Sequence, residues 1–84
     1  MNVLDAYIEK HLERLFIEGI NIMNNATAFQ EFRKTMKADH GVFYIRYIKS
    51  GSDAYTIIAK RKAKQYTDSY KNNELILKGE RTIC

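Results

Sequence analysis

Proline and tryptophan are missing from this chain, and its four glycines stand far apart. Without proline, low-complexity tracts or a linker-like stretch, nothing divides the chain, and its 84 residues predict one small domain over residues 1–84. Isolated glycines exclude a glycine-rich phosphate-binding loop, because such a loop needs several glycines at fixed spacing. Enzymes that hold a nucleotide with such a loop are therefore excluded.

Cysteine occurs once, at Cys84. A lone thiol cannot form an internal disulfide, and it favours a reducing, cytoplasmic setting. Long apolar runs are also missing: the longest uncharged stretch, residues 19–30, is short and carries three asparagines, so we expect no membrane span. Asp5 and Glu9 stand where a secretion signal would be basic and apolar. These features predict a cytoplasmic protein.

Patterns that indicate catalysis or metal binding are scarce. The two histidines, His11 and His40, fall in different predicted helices, and their spacing is not that of a zinc site. Asp5, Glu9 and Glu13 recur every four residues and form an acidic ridge on the first helix, which either receives a basic partner or faces water. The remaining carboxylates show no paired arrangement for acid–base chemistry. We therefore expect a protein that is not an enzyme and has no cofactor or metal site.

Helical periodicity marks the first half of the chain. Apolar residues recur at spacings of three and four through residues 3–18, which predicts an amphipathic helix that ends near Gly19. The segment Thr27-Ala-Phe-Gln30 matches a capping box, so a second helix is expected from Thr27 to the stop at Gly41. The short bridge between the two helices predicts an antiparallel helical hairpin.

The stretch Val42–Tyr66 holds most of the aromatic and positive character of the second half. Val42–Lys49 and Ala54–Lys60 are rich in β-branched and aromatic residues and flank a turn at residues 50–53, which predicts an antiparallel β-hairpin. Both of its faces carry apolar groups, so one face packs on the helices and the other is a candidate binding surface. Strand alternation predicts Phe43, Ile45 and Tyr47 on one face of the first strand, and Val42, Tyr44, Arg46 and Ile48 on the other.

Beyond residue 60 the apolar spacing becomes helical and predicts a third helix at about 61–71. The rival interpretation is a strand that continues to Tyr66. Glu74–Lys78 predicts a short last strand, and residues 79–84 a frayed tail. The expected fold class is therefore α+β: a helical hairpin followed by an antiparallel β-hairpin, a third helix and a short last strand. The helical spacing of i, i+4, i+7 and i+11 is carried by Ala59, Ala63, Tyr66 and Tyr70.

Positive charge gathers in the second half of the chain: residues 41–84 carry nine Lys and Arg against four Asp and Glu, whereas residues 1–40 carry five against six. Such a field attracts nucleic acid, phosphates or an acidic protein patch. The basic run of residues 60–64 can neutralise phosphates and nearby tyrosines can stack on bases, yet the same residue types anchor protein interfaces, or simply face water. The candidate binding residues are Tyr44, Arg46, Tyr47, Tyr55, Lys60, Arg61, Lys62, Lys64 and Tyr66.

Three segments, residues 8–19 (IEKHLERLFIEG), 41–50 (GVFYIRYIKS) and 57–64 (IIAKRKAK), carry a resemblance to a known group of proteins. In these segments, less than half of the chain, the sequence resembles the small Lys-, Asn-, Ile- and Tyr-rich regulatory proteins of T4-like phages, in particular the lysis-inhibition accessory proteins that assist the antiholin. The resemblance implies a non-enzymatic protein of the host cytoplasm that binds the cytoplasmic part of a holin or antiholin. It carries over no functional residue, because no family motif can be aligned.

Two function hypotheses follow. The first is a small regulatory protein that acts by protein–protein binding. The alternative is a nucleic-acid-binding module that uses the basic segment 60–64 and the neighbouring tyrosines. A homo-oligomer is a further expectation, because exposure of Ile17, Ile20 or one face of the hairpin would favour self-association.

Overall fold

The computed structural model describes residues 3–83 apart from the side chains of Val3 and Asp5, so Cys84 lies outside the described residues. Two helices are followed by four strands that form one antiparallel sheet in the order of the chain. The α+β class, the helical hairpin and the first β-hairpin are confirmed. The elements are α1 (Val3–Ile22), α2 (Ala26–His40), β1 (Val42–Gly51), β2 (Ala54–Arg61), β3 (Lys64–Lys71) and β4 (Glu74–Thr82).

Helix α1 is amphipathic, as its spacing predicts, but it continues past Gly19 to Ile22. Leu12 and Phe16 on its apolar side are each 1% exposed. Gly19 does not end the helix; its missing side chain lets the Tyr47 phenol approach the helix backbone. The expected end near Gly19 is therefore wrong. Neither helix within residues 3–83 is long and apolar enough to cross a membrane.

Helix α2 begins earlier than its predicted capping box. Asn25 is the N-cap, and its side-chain oxygen accepts a hydrogen bond from the amide of Ala28 at 3.0 Å. Thr27 therefore lies inside the helix, and the predicted cap is wrong; asparagine is at least as good an N-cap as threonine. The predicted stop is confirmed, because Gly41 adopts a left-handed φ of 70° and its amide donates to the carbonyl of Lys37.

The two helices pack as the predicted antiparallel hairpin, joined by residues 23–25. Ile17 and Ile20, which the helical spacing places away from Leu15, pack against the core instead of facing away from it. Helix α1 contacts both α2 and the sheet, so more than one side of it is covered. Both isoleucines therefore cover the protein's own interior.

Three two-residue turns connect the four strands, and each contains a residue with a left-handed backbone. Asn72 and Asn73 have φ angles of 52° and 61°. Left-handed conformations at both central positions are typical of type I′ turns, whose twist matches that of the paired strands. Asp53 and Lys62 take left-handed φ angles in the other two turns.

Residues 61–71 contain the turn at 62–63 and strand β3, so the predicted third helix is wrong. Ala59 and Tyr66, which the helical spacing assigned to one stripe, are direct partners across β2 and β3. Residues at equal distances from a hairpin turn lie opposite each other on the two strands. Ala59 and Tyr66 are seven residues apart in the sequence, which is also the spacing of two turns of an α-helix, so the same pattern fits both structures. The rival strand continuing to Tyr66 is also wrong, because β2 ends at Arg61.

Strand β4 extends further than the short strand expected at Glu74–Lys78. It continues through Gly79 to Thr82, and the amide of Ile83 then donates to the carbonyl of Ala63 at 2.7 Å. Most of the predicted frayed tail is therefore paired strand. Hydrogen bonds to β3 order residues whose own sequence has little strand character.

A β-bulge between Val42 and Tyr44 decides which side chains of β1 face the helices. Because one extra residue sits there, Val42 joins Ile45 and Tyr47 on the inner side, whereas Phe43 is 55% exposed. The predicted faces of Val42 and Phe43 are therefore wrong. Beyond the bulge, the predicted alternation is confirmed.

The core lies between the two helices and the inner face of the sheet. Ile57, Ala59 and Tyr70 are completely buried there. Leu12 and Phe16 of α1, with Met36 of α2, close this layer from above. The opposite face of the sheet is not covered by any element within residues 3–83.

Candidate binding surface

The basic run Lys60–Lys64 is divided between the two faces of the sheet and a turn. Lys60 lies on the face away from the helices, Arg61 and Lys64 on the inner face, and Lys62 in the turn between β2 and β3. This division arises because side chains alternate along a strand and the turn falls inside the run. The structure therefore does not bring these four cations together.

Arg61 is 9% exposed and belongs to the interior. Its Nε donates a hydrogen bond to the carbonyl oxygen of His40 at 3.1 Å. That carbonyl lies at the end of α2, where backbone oxygens lack partners within the helix and attract a positive charge. Arg61 thus fastens the helix end to the sheet.

We expect Arg61→Met to lower the free energy of unfolding by about 1 kcal/mol, because it removes a charged hydrogen bond and keeps the apolar stem. The matched control is Lys62→Met, one position away on the exposed turn, where we expect little change. Urea unfolding of both variants measures the difference. Equal effects at the two positions would contradict a structural role specific to Arg61.

Lys64 and Lys78 meet the acidic ridge of α1. The Lys64 Nζ lies 3.0 Å from the carboxylate of Glu80 and 3.8 Å from that of Glu9, and the Lys78 Nζ lies 2.7 Å from that of Glu13. The hydrogen bond with Glu80 raises the pKa of Lys64, which keeps its amine protonated. The ridge therefore receives basic residues of its own chain, and Lys64, although partly exposed, is paired with carboxylates of that chain.

Tyr47 and Tyr66 are also engaged inside the fold. The Tyr47 hydroxyl donates to the carbonyl oxygen of Phe16 at 2.8 Å, and the Tyr47 ring meets that of Phe29 edge-on at 5.4 Å. Burial raises the pKa of Tyr47. Tyr66 is 2% exposed. The Tyr66 ring is therefore inaccessible to a ligand, and the Tyr47 ring is partly buried and already packed against Phe29.

Tyr55 lies apart from the other candidate tyrosines. It borders a polar cleft of about 490 Å³ where the end of α1 meets two of the strand turns. The amide of Asn72 donates to the carbonyl of Asp53 at 2.9 Å, which ties these turns together. The cleft is lined by Ile20, Asn21, Asn24, Asp53, Tyr55, Asn72 and Asn73.

The strand register arranges the side chains opposite the helices in rows that cross all four strands. The register gives four such rows. We call the three rows farthest from the turn at 72–73 the outer sheet face; the fourth row, beside that turn, ends in Glu74. The first row is Tyr44, Lys60, Gln65 and Arg81, the second is Arg46, Ile58, Thr67 and Gly79, and the third is Ile48, Thr56, Ser69 and Leu77.

The outer sheet face combines apolar groups with positive charge. Tyr44 is 40% exposed and Leu77 is 65% exposed. The Lys60 Nζ lies 4.9 Å from the centre of the Tyr44 ring, a cation–π contact. Arg46 and Arg81 add two more cations, and these three rows contain no carboxylate. Such a surface complements one that is acidic and partly apolar.

The structure thus separates the predicted binding residues into two groups. Tyr44, Arg46 and Lys60 lie together on the outer sheet face, with Lys62 in the turn beyond them, whereas the other predicted residues point inward or into the polar cleft. Arg81 also belongs to the outer sheet face, whereas the sequence predicts a frayed tail at its position. The Asn72–Asn73 pair, a common type I′ turn former, is the signal that could have revealed its strand.

The two histidines, which the sequence shows far apart, come together between the helices. The ring centres of His11 and His40 lie 5.4 Å apart. No group of three or more potential metal ligands occurs among the side chains that the structure describes.

No family model, curated protein or solved structure matches this chain. We therefore infer its function from the arrangement of its own residues.

Proposed function

We propose that this protein is a small, non-enzymatic binding protein whose outer sheet face contacts an acidic, partly apolar surface of another protein. The observation that carries this proposal is the composition of that face. A sheet with one packed face and one solvated face usually presents polar groups to water. Tyr44, Ile48 and Leu77 are exposed on this face and are not part of the core. Exposed apolar side chains grouped with arginine are typical of protein contact surfaces.

The division of the basic run favours a protein partner over a nucleic acid. A groove that follows a nucleic-acid backbone needs aligned cations and several rings for stacking. Arg61, Tyr47 and Tyr66 are held within the fold, and the charge of Lys64 is paired with carboxylates of the same chain. The outer sheet face offers one aromatic ring, Tyr44, among three cations and aliphatic side chains.

The resemblance to T4-like phage regulators supports a more specific form of the proposal. In that form, the partner is the cytoplasmic part of an antiholin or holin, and binding delays lysis without any chemical step. The cations of the outer sheet face would meet carboxylates of that partner. The cations of the outer sheet face support an acidic surface on the partner, and the resemblance supports its identity as an antiholin or holin.

A single-stranded nucleic acid is the second candidate ligand. The observation that favours it is the row containing Tyr44, Lys60 and Arg81, in which a ring lies beside two cations. Stacking on one base and neutralising neighbouring phosphates would be possible there. Binding of this kind would weaken steeply with salt, in proportion to the number of phosphates contacted.

Site-specific photo-crosslinking in cells tests the proposal. A benzophenone amino acid placed at Thr67, the exposed centre of the outer sheet face, is expected to capture a protein, whereas the same group at Glu18 on α1 is not. Arg46→Glu should reduce capture at Thr67 at least fivefold, because it places a carboxylate opposite an acidic partner.

The mass and composition of the captured species separate the alternatives. Nuclease-sensitive adducts with steeply salt-dependent binding would favour the second candidate. An adduct of twice the chain's mass would indicate self-association through this face. Equal capture from Thr67 and Glu18 would contradict a role for the outer sheet face.

A further inference from the structure

A groove between α2 and the edge strand β1 lies outside the outer sheet face. It has a volume of about 210 Å³. Its helix side carries three cations and its strand side is apolar and aromatic. The lining residues are Arg33, Lys34, Lys37, Val42, Phe43, Tyr44 and Ile45.

Strand β1 forms one wall of this groove and is an edge of the sheet. It pairs with β2 on one side, and no strand within residues 3–83 pairs with its other side. An edge strand presents backbone amides and carbonyls in the spacing that another strand needs. β1 runs from Val42 to Gly51, longer than an ordinary strand, and Phe43 is exposed at its start.

The positive charge of the groove is weakly compensated within the described chain. Lys34 lies 3.6 Å from Glu31, but both side chains are largely exposed, so this pair contributes little. The Arg33 guanidinium lies 4.9 Å from the Phe29 ring centre, and none of the ion pairs among the described side chains includes it. No carboxylate lines the groove. An anionic occupant is therefore favoured.

A second copy of the chain is a poor occupant for this edge. Pairing two β1 strands would bring the cations of both α2 helices together with Arg46 and Lys49 of both strands. Like charges placed across an interface cost several kcal/mol. The same charges attract a strand that carries carboxylates.

We propose that an acidic, extended segment of the protein partner adds to the sheet as a fifth strand beside β1, with its carboxylates in the groove opposite Arg33, Lys34 and Lys37. Backbone hydrogen bonds to an edge strand supply affinity, and alternate side chains supply specificity. This inference rests on the proposed function and names the class of partner segment. Tyr44 borders both the groove and the outer sheet face, so one partner can contact both.

A labelled peptide of about seven residues, the length of an ordinary strand, tests the inference. The peptide alternates glutamate with valine, is capped at both ends and is titrated with the intact chain by fluorescence anisotropy. We expect binding that Lys34→Glu/Lys37→Glu weakens at least tenfold. The matched control, Lys10→Glu/Arg14→Glu, makes the same change of charge on exposed positions of α1 and should leave the affinity within about twofold. Thermal unfolding verifies that both variants fold.

Two further probes distinguish strand addition from charge attraction alone. The same peptide with alternate amides N-methylated keeps its charge but cannot complete a strand, and we expect its affinity to fall at least tenfold. A single-stranded oligonucleotide of equal charge should compete poorly. Unchanged binding of the methylated peptide, equal loss in both double variants, or strong competition by the oligonucleotide would each overturn the inference.

The two proposals can fail separately. Groove-dependent peptide binding without capture at Thr67 would support strand addition and contradict the role of the outer sheet face. Capture at Thr67 with no peptide binding would leave the proposed function standing and overturn strand addition.

Discussion

Replacing Gly19 with alanine is expected to lower the free energy of unfolding by about 2 kcal/mol, although alanine is the better helix former. A Cβ atom at this position would overlap the Tyr47 hydroxyl and lie 2.6 Å from Cζ of the same ring and 2.9 Å from Cε2 of Phe32. These rings are packed against both helices, so they cannot simply turn away. Overpacking therefore outweighs the gain in helix propensity of about 1 kcal/mol.

The expected loss has a second component. The Tyr47 hydroxyl bonds to the carbonyl of Phe16, one helical turn before Gly19, and displacement of the ring breaks that bond. Urea or thermal unfolding of Gly19→Ala measures the total. The matched control is Gly51→Ala, where a Cβ would meet the Ala54 Cβ at an ordinary 3.6 Å.

A double-mutant cycle assigns the effect to the Tyr47 contact. Tyr47→Phe removes the hydroxyl that alanine would strike, so we expect the Gly19→Ala cost to be smaller in the Tyr47→Phe background. Additive losses would show that the clash with the hydroxyl is not the cause. Equal losses in Gly19→Ala and Gly51→Ala would contradict the close approach itself.

The second large effect is expected from Asp68→Asn, which should raise the free energy of unfolding by about 2 kcal/mol at pH 8 and change it little near pH 3. Asp68 is 1% exposed on the inner side of β3. Burial raises its pKa to about 6, above the ordinary 3.8, although the Gly79 amide and Lys78 partly oppose the shift. An asparagine of the same shape avoids the buried charge.

The direction of the pH dependence follows from that pKa. The folded state binds a proton on Asp68 more tightly than the unfolded state does, so this carboxyl lowers stability as the pH rises from about 4 to above 6. The neighbouring charges on this inner face are Glu13 and Lys78, and Tyr70 adds a buried hydroxyl. The Glu13 charge raises the pKa of Asp68 further, whereas Lys78 and the Tyr70 hydroxyl stabilise the anion and lower it.

Urea unfolding at several pH values, for the parent chain and for Asp68→Asn, measures what this one carboxyl contributes to the free energy of unfolding, because all other carboxyls are common to both chains. The difference between the two curves should grow between pH 4 and pH 7 and then level off. A difference that is constant with pH would contradict a raised pKa at Asp68. Lower stability of the variant at pH 8 would mean that the anion makes a stabilising contact.

The candidate surface was only partly predictable, because strand alternation is a local property but strand pairing is not. The sequence was sufficient to place Tyr44 and Arg46 on a face opposite Ile45 and Tyr47. It could not place Arg81 beside them, because that neighbour depends on the register of two further hairpins. The position of the basic run was equally unpredictable from local sequence. Its charges are adjacent along the chain, but strand alternation and the turn at 62–63 place them on opposite faces of the sheet and in the turn itself.

The sequence by itself determined both helices, the first hairpin and the α+β class, because helical and strand spacing of apolar residues are set by local geometry. Only the tertiary structure decided that residues 61–71 form a turn and a strand. Without glycine, proline or asparagine at 62–63, no local signal marks that turn, and pairing with β2 and β4 supplies what local preference lacks. Gly19 is a second example. The sequence predicted a helix end there, but in the tertiary structure the helix continues and Gly19 instead makes room for the Tyr47 side chain.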